Sequence, residues 1–176
     1  MRDPAKSMPS LSFSEALTEL TIWHCKYRTL QPVSELHALQ KLKIATFPDE
    51  SLSLLDGLQQ LECLSILHLP KVTSLAPLGS LKSLRILEIE TLPSWDVARK
   101  RTVVESLWPL SELPNLQHVS LLGVVPEDGL LDPLKNCPNL KSAKFHGFQK
   151  EEQERFFMES DVLKRHAPDF LEFINK

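Results

Sequence analysis

Residues 75–89 read LAPLGSLKSLRILEI, and two overlapping patterns in them decide the fold. The second half, Leu84-x-x-Leu87-x-Ile89, alternates apolar and polar residues, the signature of a strand with one face buried. The first half, Leu75 to Leu84, repeats apolar residues every third position and carries Pro77 at its start. That spacing suits a short helix or 3₁₀ turn entered through proline, which a helix accepts in its first turn but not in its interior. One short turn followed by one short strand cannot bury its own apolar side, so the unit implies neighbours of the same kind.

Those neighbours are present. Ladders of the form Leu-x-x-Leu-x-Leu occur at Leu17/Leu20/Ile22, Leu39/Leu42/Ile44, Leu64/Leu67/Leu69, Leu84/Leu87/Ile89, Leu116/Val119/Leu121 and Leu140/Ala143/Phe145. Their starts are 22, 25, 20, 32 and 24 residues apart, a solenoid period with one long step. The turn pattern recurs at Leu30–Leu39 (LQPVSELHAL), Leu107–Leu116 (LWPLSELPNL) and Leu131–Leu140 (LDPLKNCPNL), the last with Cys137 in a leucine position. Between residues 47 and 64 the three-residue spacing continues through Leu52, Leu55, Leu58, Leu61 and Leu64, without the proline. Stacked, the strands would form a parallel sheet, the turns the opposite face, and the leucines the space between.

With six such units in frame, Leu17 to Phe148 resembles the leucine-rich repeat family, most closely its bacterial internalin-type class. The resemblance implies an α/β solenoid: a curved parallel sheet on the concave face, short helices or 3₁₀ turns on the convex face, and a helical cap at the C-terminal end. In that family an asparagine usually stands three residues beyond the second strand leucine and satisfies loop backbone groups. Here the position reads Cys25, Phe47, Leu92, Val124 and Phe148, and the loop of the repeat starting at Leu64 is about two residues short. Apolar side chains therefore replace the asparagine ladder. The expected organisation is an N-terminal arm or irregular edge strand over residues 1–16, the solenoid over 17–148 and a cap over 149–176. Within the cap, a helix-prone stretch ends in Phe156, Phe157 and Met158, and Pro168 opens a second stripe of Phe170, Leu171, Phe173 and Ile174.

A chain of 176 residues with net charge −3 and 24% charged residues forms one domain with a continuous core and lacks the basic face of a nucleic-acid binder. No apolar run is long enough for a transmembrane helix or a signal peptide. Cys25, Cys63 and Cys137 share no metal-ligand spacing and fall where the repeat expects buried residues, which favours reduced thiols and a cytoplasmic setting. No phosphate-cradling glycine loop, G-x-S-x-G or H-E-x-x-H occurs. An enzyme is not expected, nor a cofactor, a metal, a membrane partner or a small-molecule substrate.

Function is expected on the outer sheet face. The residues between ladder positions give one column of Glu19, Lys41, Ile66, Ile86, His118 and Ser142, and a central one of Thr21, Lys43, His68, Glu88, Ser120 and Lys144. A third column, just past the strands, reads Trp23, Ala45, Pro70, Glu90, Leu122 and His146. The candidate partner-binding residues are Glu19, Thr21, Trp23, Lys41, Lys43, His68, Glu88, Glu90, His118 and Lys144, a mixture of aromatic and charged groups that suits a folded protein partner. A second candidate contact is the insertion Pro93–Ser106, with Trp95 and the basic run Arg99, Lys100, Arg101. The family resemblance points to a partner-inhibitor such as a toxin immunity protein; the alternative is a recognition or regulatory fragment of a larger effector or adaptor.

Overall fold

The computed structural model describes residues 6–11, 16–23, 26–98 and 100–164. Its strands are β1 (Glu19–Ile22), β2 (Lys41–Ile44), β3 (Cys63–Ile66), β4 (Ile86–Glu90), β5 (Thr102–Val104), β6 (His118–Leu122), β7 (Val124–Pro126), β8 (Ser142–His146) and β9 (Leu163–Lys164). Seven of them form one parallel sheet in the order β1-β2-β3-β4-β6-β8-β9, while β5 and β7 pair in a second, two-stranded sheet. This is the α/β leucine-rich repeat solenoid that the ladders predict.

Between successive strands the chain makes a tight turn on the far side of the core. Gln31–Glu35, Ala76–Ser80 and Trp108–Glu112 are 3₁₀ turns with proline in the first two positions, and the short helix α2 (Asp132–Lys135) occupies the same place in the last repeat. The turn without proline, Ser53–Leu55, is the shortest, three residues against five. Proline's fixed φ preorganises the entry to each longer turn.

The sheet register corrects one ladder. Leu42 pairs with Leu64 and Ile44 with Ile66, and these in turn pair with Leu87 and Ile89. The third ladder is therefore Leu61/Leu64/Ile66, three residues earlier than Leu64/Leu67/Leu69. Five leucines at a constant spacing of three admit both frames, because a slide by one leucine preserves the pattern. Sheet pairing removes the ambiguity: the frame Leu52–Leu61 aligns with Leu75–Leu84, with Leu54 where Pro77 stands. Steps between ladders become nearly uniform except at the insertion, and the apparently short loop disappears because Leu69 now fills the column of Phe47, Val124 and Phe148.

That column is buried: Phe47, Leu69 and Val124 are fully enclosed and Phe148 is 8% exposed. Leu92 is half-buried and Cys25 lies outside the described residues. Loop backbone groups bond directly across repeats, as in Phe47 N–H to His68 C=O at 2.7 Å and Leu67 N–H to Ile44 C=O at 2.9 Å, so the loops hold without asparagine side chains. The core runs unbroken through Leu42, Leu64, Leu87, Val119 and Ala143, all at 0% exposure.

The insertion is ordered rather than a loose loop. Helix α1 (Pro93–Val97) is followed by β5, whose Thr102 N–H bonds Gly123 C=O at 2.9 Å and whose neighbour Glu105 donates to Thr73 C=O at 2.8 Å. Val104 is fully buried and Thr102 nearly so. Past β8, helix α3 (Lys150–Met158) sets the Phe156 ring 5.4 Å from that of Phe145, and the chain returns to add β9 beside β8. The second stripe, Pro168 to Ile174, lies outside the described residues. Among those described, no helix is long and apolar enough to cross a membrane.

The register carries a test. Leu87→Ala should lower stability by about 2–5 kcal/mol as a core truncation, whereas Leu67→Ala, at a half-buried site outside the core, should cost well under half as much; chemical denaturation of both variants checks this. Equal losses would restore the Leu64/Leu67/Leu69 frame.

Candidate functional site: the outer sheet face

Alternation in the strands sends one set of side chains away from the leucine core. With the register of the structure, the first outer column is Glu19, Lys41, Cys63, Ile86, His118 and Ser142, and the central one is Thr21, Lys43, Ser65, Glu88, Ser120 and Lys144. In the third repeat Cys63 and Ser65 thus replace Ile66 and His68, and Leu67 replaces Pro70 in the column beyond. The leucine spacing alone carried no signal for this, since it fits either frame.

The face is not uniform. At its β1 end Glu19, Thr21 and Trp23 are exposed, Trp23 by 44%. The Lys43 ammonium lies 5.6 Å from the Trp23 ring centroid, within cation–π range, and Lys41 Nζ is 2.6 Å from Glu19 Oε1. Further along, the floor consists of short or buried side chains: Cys63, Ile86 and Ser142 at 0% and Ser120 at 2% exposure. Longer charged residues, Lys41, Lys43, Glu88, Glu90 and Lys144, stand half-buried around them. Arg85 and Glu62, absent from the sequence-based candidates, form a further pair at 3.3 Å beside this floor. Partly exposed pairs of this kind hold side chains in place but add little stability, about 0–1 kcal/mol.

The three histidines expected on the exposed face do not gather there. His118 is buried, its Nδ1 2.7 Å from Ser142 Oγ. His146 is exposed at the end of β8. His68 leaves the face altogether because the corrected register puts it beyond the strand, where it is 6% exposed and meets the edge of the Trp95 ring, centroids 4.6 Å apart. Its Nδ1 is buried without a hydrogen-bond partner, and burial lowers its pKa. Trp95, a candidate contact residue, is therefore half-buried and serves to seat α1 on the third repeat. The Lys100 ammonium lies 6.0 Å from the Trp95 ring centroid; Arg101 is exposed on the insertion, and Arg99 lies outside the described residues.

Among the described residues no group of three or more His, Cys, Asp or Glu side chains could hold a metal ion. Burial pushes the Cys63 thiol up to about 12 and the Cys137 thiol up to about 11, so neither is a nucleophile near neutral pH.

The comparisons bear on the fold. No protein-family model and no curated protein sequence matches the chain. Among solved structures it is similar to internalin C2 from Listeria monocytogenes, with 25% identity and a TM-score of 0.54 over 74% of this chain. The match covers 52% of internalin C2, so the chain spans about half the length of that protein. A second similar structure, an internalin (inlF) from the same organism, has 20% identity and a TM-score of 0.39, covering 67% of this chain and 38% of its own. The parallel sheet and the likeness to internalin C2 together give the fold as a leucine-rich repeat solenoid like that of the internalins.

Two outcomes follow from the buried groups. Because its folded pKa lies below the ordinary 6.5, His68 binds fewer protons in the folded than in the unfolded chain, so its contribution is constant above about pH 6.5 and is lost as pH falls below it. The drop in melting temperature between pH 7.5 and 5.5 should shrink in His68→Leu; an unchanged drop would show that His68 is not its source. Cys63 and Cys137 should resist a thiol reagent at pH 8 in the native protein and react fully in denaturant, as spectrophotometric titration would show.

Proposed function

We propose that the protein is a non-enzymatic binding module that holds a folded protein partner on the outer sheet face, engaging it from the β1 end. The observation that carries this reading is Trp23, 44% exposed beside Lys43 at 5.6 Å, with Thr21, Glu19 and Lys41 on the adjoining positions. Large aromatic groups ringed by charges supply much of the energy at protein interfaces. A sheet hydrogen-bonded across six repeats presents them with little ordering cost. Glu88, Glu90 and Lys144 extend the same face and would set orientation more than affinity.

Within this reading the role we favour is a bacterial cytoplasmic inhibitor that works by covering its partner, as a toxin immunity protein does. Two buried thiols, Cys63 and Cys137, suit a reducing compartment. A recognition element of a larger effector or adaptor is the alternative, and the partner's identity separates the two: a toxic enzyme whose activity falls on binding supports the inhibitor, and a substrate or scaffold protein supports the adaptor.

The test is affinity capture from the host's lysate with wild type and a Trp23→Ala/Lys43→Glu variant, followed by calorimetry with the purified partner. The expected result is a partner bound one to one, with affinity lowered at least about tenfold in the variant, about 1.4 kcal/mol, and no change in melting temperature. Equal affinity in both would remove the β1 end of the face from the interface.

A further inference from the structure

The long fourth repeat gives this solenoid a second surface that the other repeats lack. In β5 the inward residues Thr102 and Val104 are buried while Val103, and the flanking Arg101 and Glu105, are exposed. In β7 Val124 and Pro126 face inward, and Val125 lies opposite Val103 in the register. The outer side of this small sheet therefore begins with a cation at Arg101, passes over the Val103–Val125 pair, and ends at Glu105 and Glu127, both exposed.

Its basic end is built in a particular way. Gly123 and Gly147 have φ of +75° and +99°, and a Cβ at Gly147 would lie 3.3 Å from Arg101 Nε. Arg101 thus lies against the bare backbone of Gly147, in a conformation that other residues adopt only with strain. Neighbouring Lys100 rests over the Trp95 ring, which His68 holds in turn. Among the described residues no carboxylate pairs with Arg101 or Lys100. Within four residues of these cations along the chain stand Val97, 87% exposed, and Val103, 50% exposed. Two cations that pair with no carboxylate among the described residues, one against the Gly147 backbone and one over an aromatic ring, sit on backbone that is hydrogen-bonded into the solenoid.

We propose that Val97, Lys100, Arg101 and Val103 form a second docking surface, for an acidic segment of a protein partner that carries a carboxylate next to an apolar side chain. The carboxylate would accept hydrogen bonds from the Arg101 guanidinium, whose planar fork matches it, and the apolar group would cover Val103 and Val125. Charge favours a peptide over a polyanion. A nucleic-acid backbone or an anionic membrane rewards an extended basic track, whereas this face turns acidic at Glu105 and Glu127, a short distance along the same strands. The surface is independent of Trp23 and Lys43.

Panning a displayed random peptide library of about twelve residues against the whole protein tests this, with the selected peptides then measured by fluorescence anisotropy. The account expects peptides with Asp or Glu beside an apolar residue. Their affinity should fall at least about tenfold in Lys100→Glu/Arg101→Glu, fall with added salt, and stay unchanged in Trp23→Ala/Lys43→Glu. Val103→Asp is a second probe, expected to weaken the same peptides, and melting curves show that each variant is folded. Peptides without acidic enrichment, or acidic ones whose binding survives both the charge reversal and Val103→Asp, would overturn the proposal. So would tighter binding, through Lys100 and Arg101, of a single-stranded oligonucleotide or of phosphatidylglycerol vesicles than of any selected peptide.

Discussion

The structure depends on the parallel pairing of one repeat with the next. Each strand is four or five residues long in most repeats, too short to be stable alone, and the turns, three to five residues each, are no longer. Their stability comes from placing Leu42, Leu64, Leu87, Val119 and Ala143 in one line, where every side chain loses its solvent contact to those before and after it. At roughly 1.5–3 kcal/mol for burying a leucine-sized side chain, the ladder outweighs any surface ion pair in the molecule. The same pairing fixes which side chains point away from the core, so the register settles the composition of the candidate binding face along with the fold.

Much of this was legible in the residues. Five of the six ladders, the proline-entered turns and the helix ending in Phe156 and Phe157 follow from period and proline placement alone, because burial forces them. The third ladder did not, and the reason is physical. Leu52, Leu55, Leu58, Leu61 and Leu64 satisfy a spacing of three in two frames, and with no proline among them only pairing with β2 and β4 chooses between the two. That slide of three residues moved His68 onto the outer face and left Cys63 and Ser65 off it.

The remaining misreadings concern what single-chain patterns do not encode. Alternation states which side of a strand a residue occupies, not how much solvent it meets, so the burial of Ile86, His118 and Ser142 had no local signal. The insertion read as a loop because β5 is three residues long and its partner β7 lies a whole repeat away. Gly123 marks the place in the structure: it has a positive φ, and a Cβ there would lie 2.2 Å from Thr91 Oγ1, so only a glycine lets the Thr91 side chain pack against this backbone. The Thr102 N–H bond to Gly123 C=O then holds β5 against the next repeat.

The register itself is the claim on which fold and face both stand, and a disulfide trap measures it directly. In a Cys25→Ser/Cys137→Ser background, Lys41→Cys places a thiol opposite Cys63, its pairing partner in the adjacent strand, within the reach of a disulfide. Mild oxidation should give a rapid intramolecular cross-link, seen as a mobility shift and a mass loss of about two hydrogens, in a protein that melts no lower than its reduced form. Failure of that pair, together with ready cross-linking of Lys41→Cys to Ile66→Cys, would place the third repeat in the other frame and contradict the account.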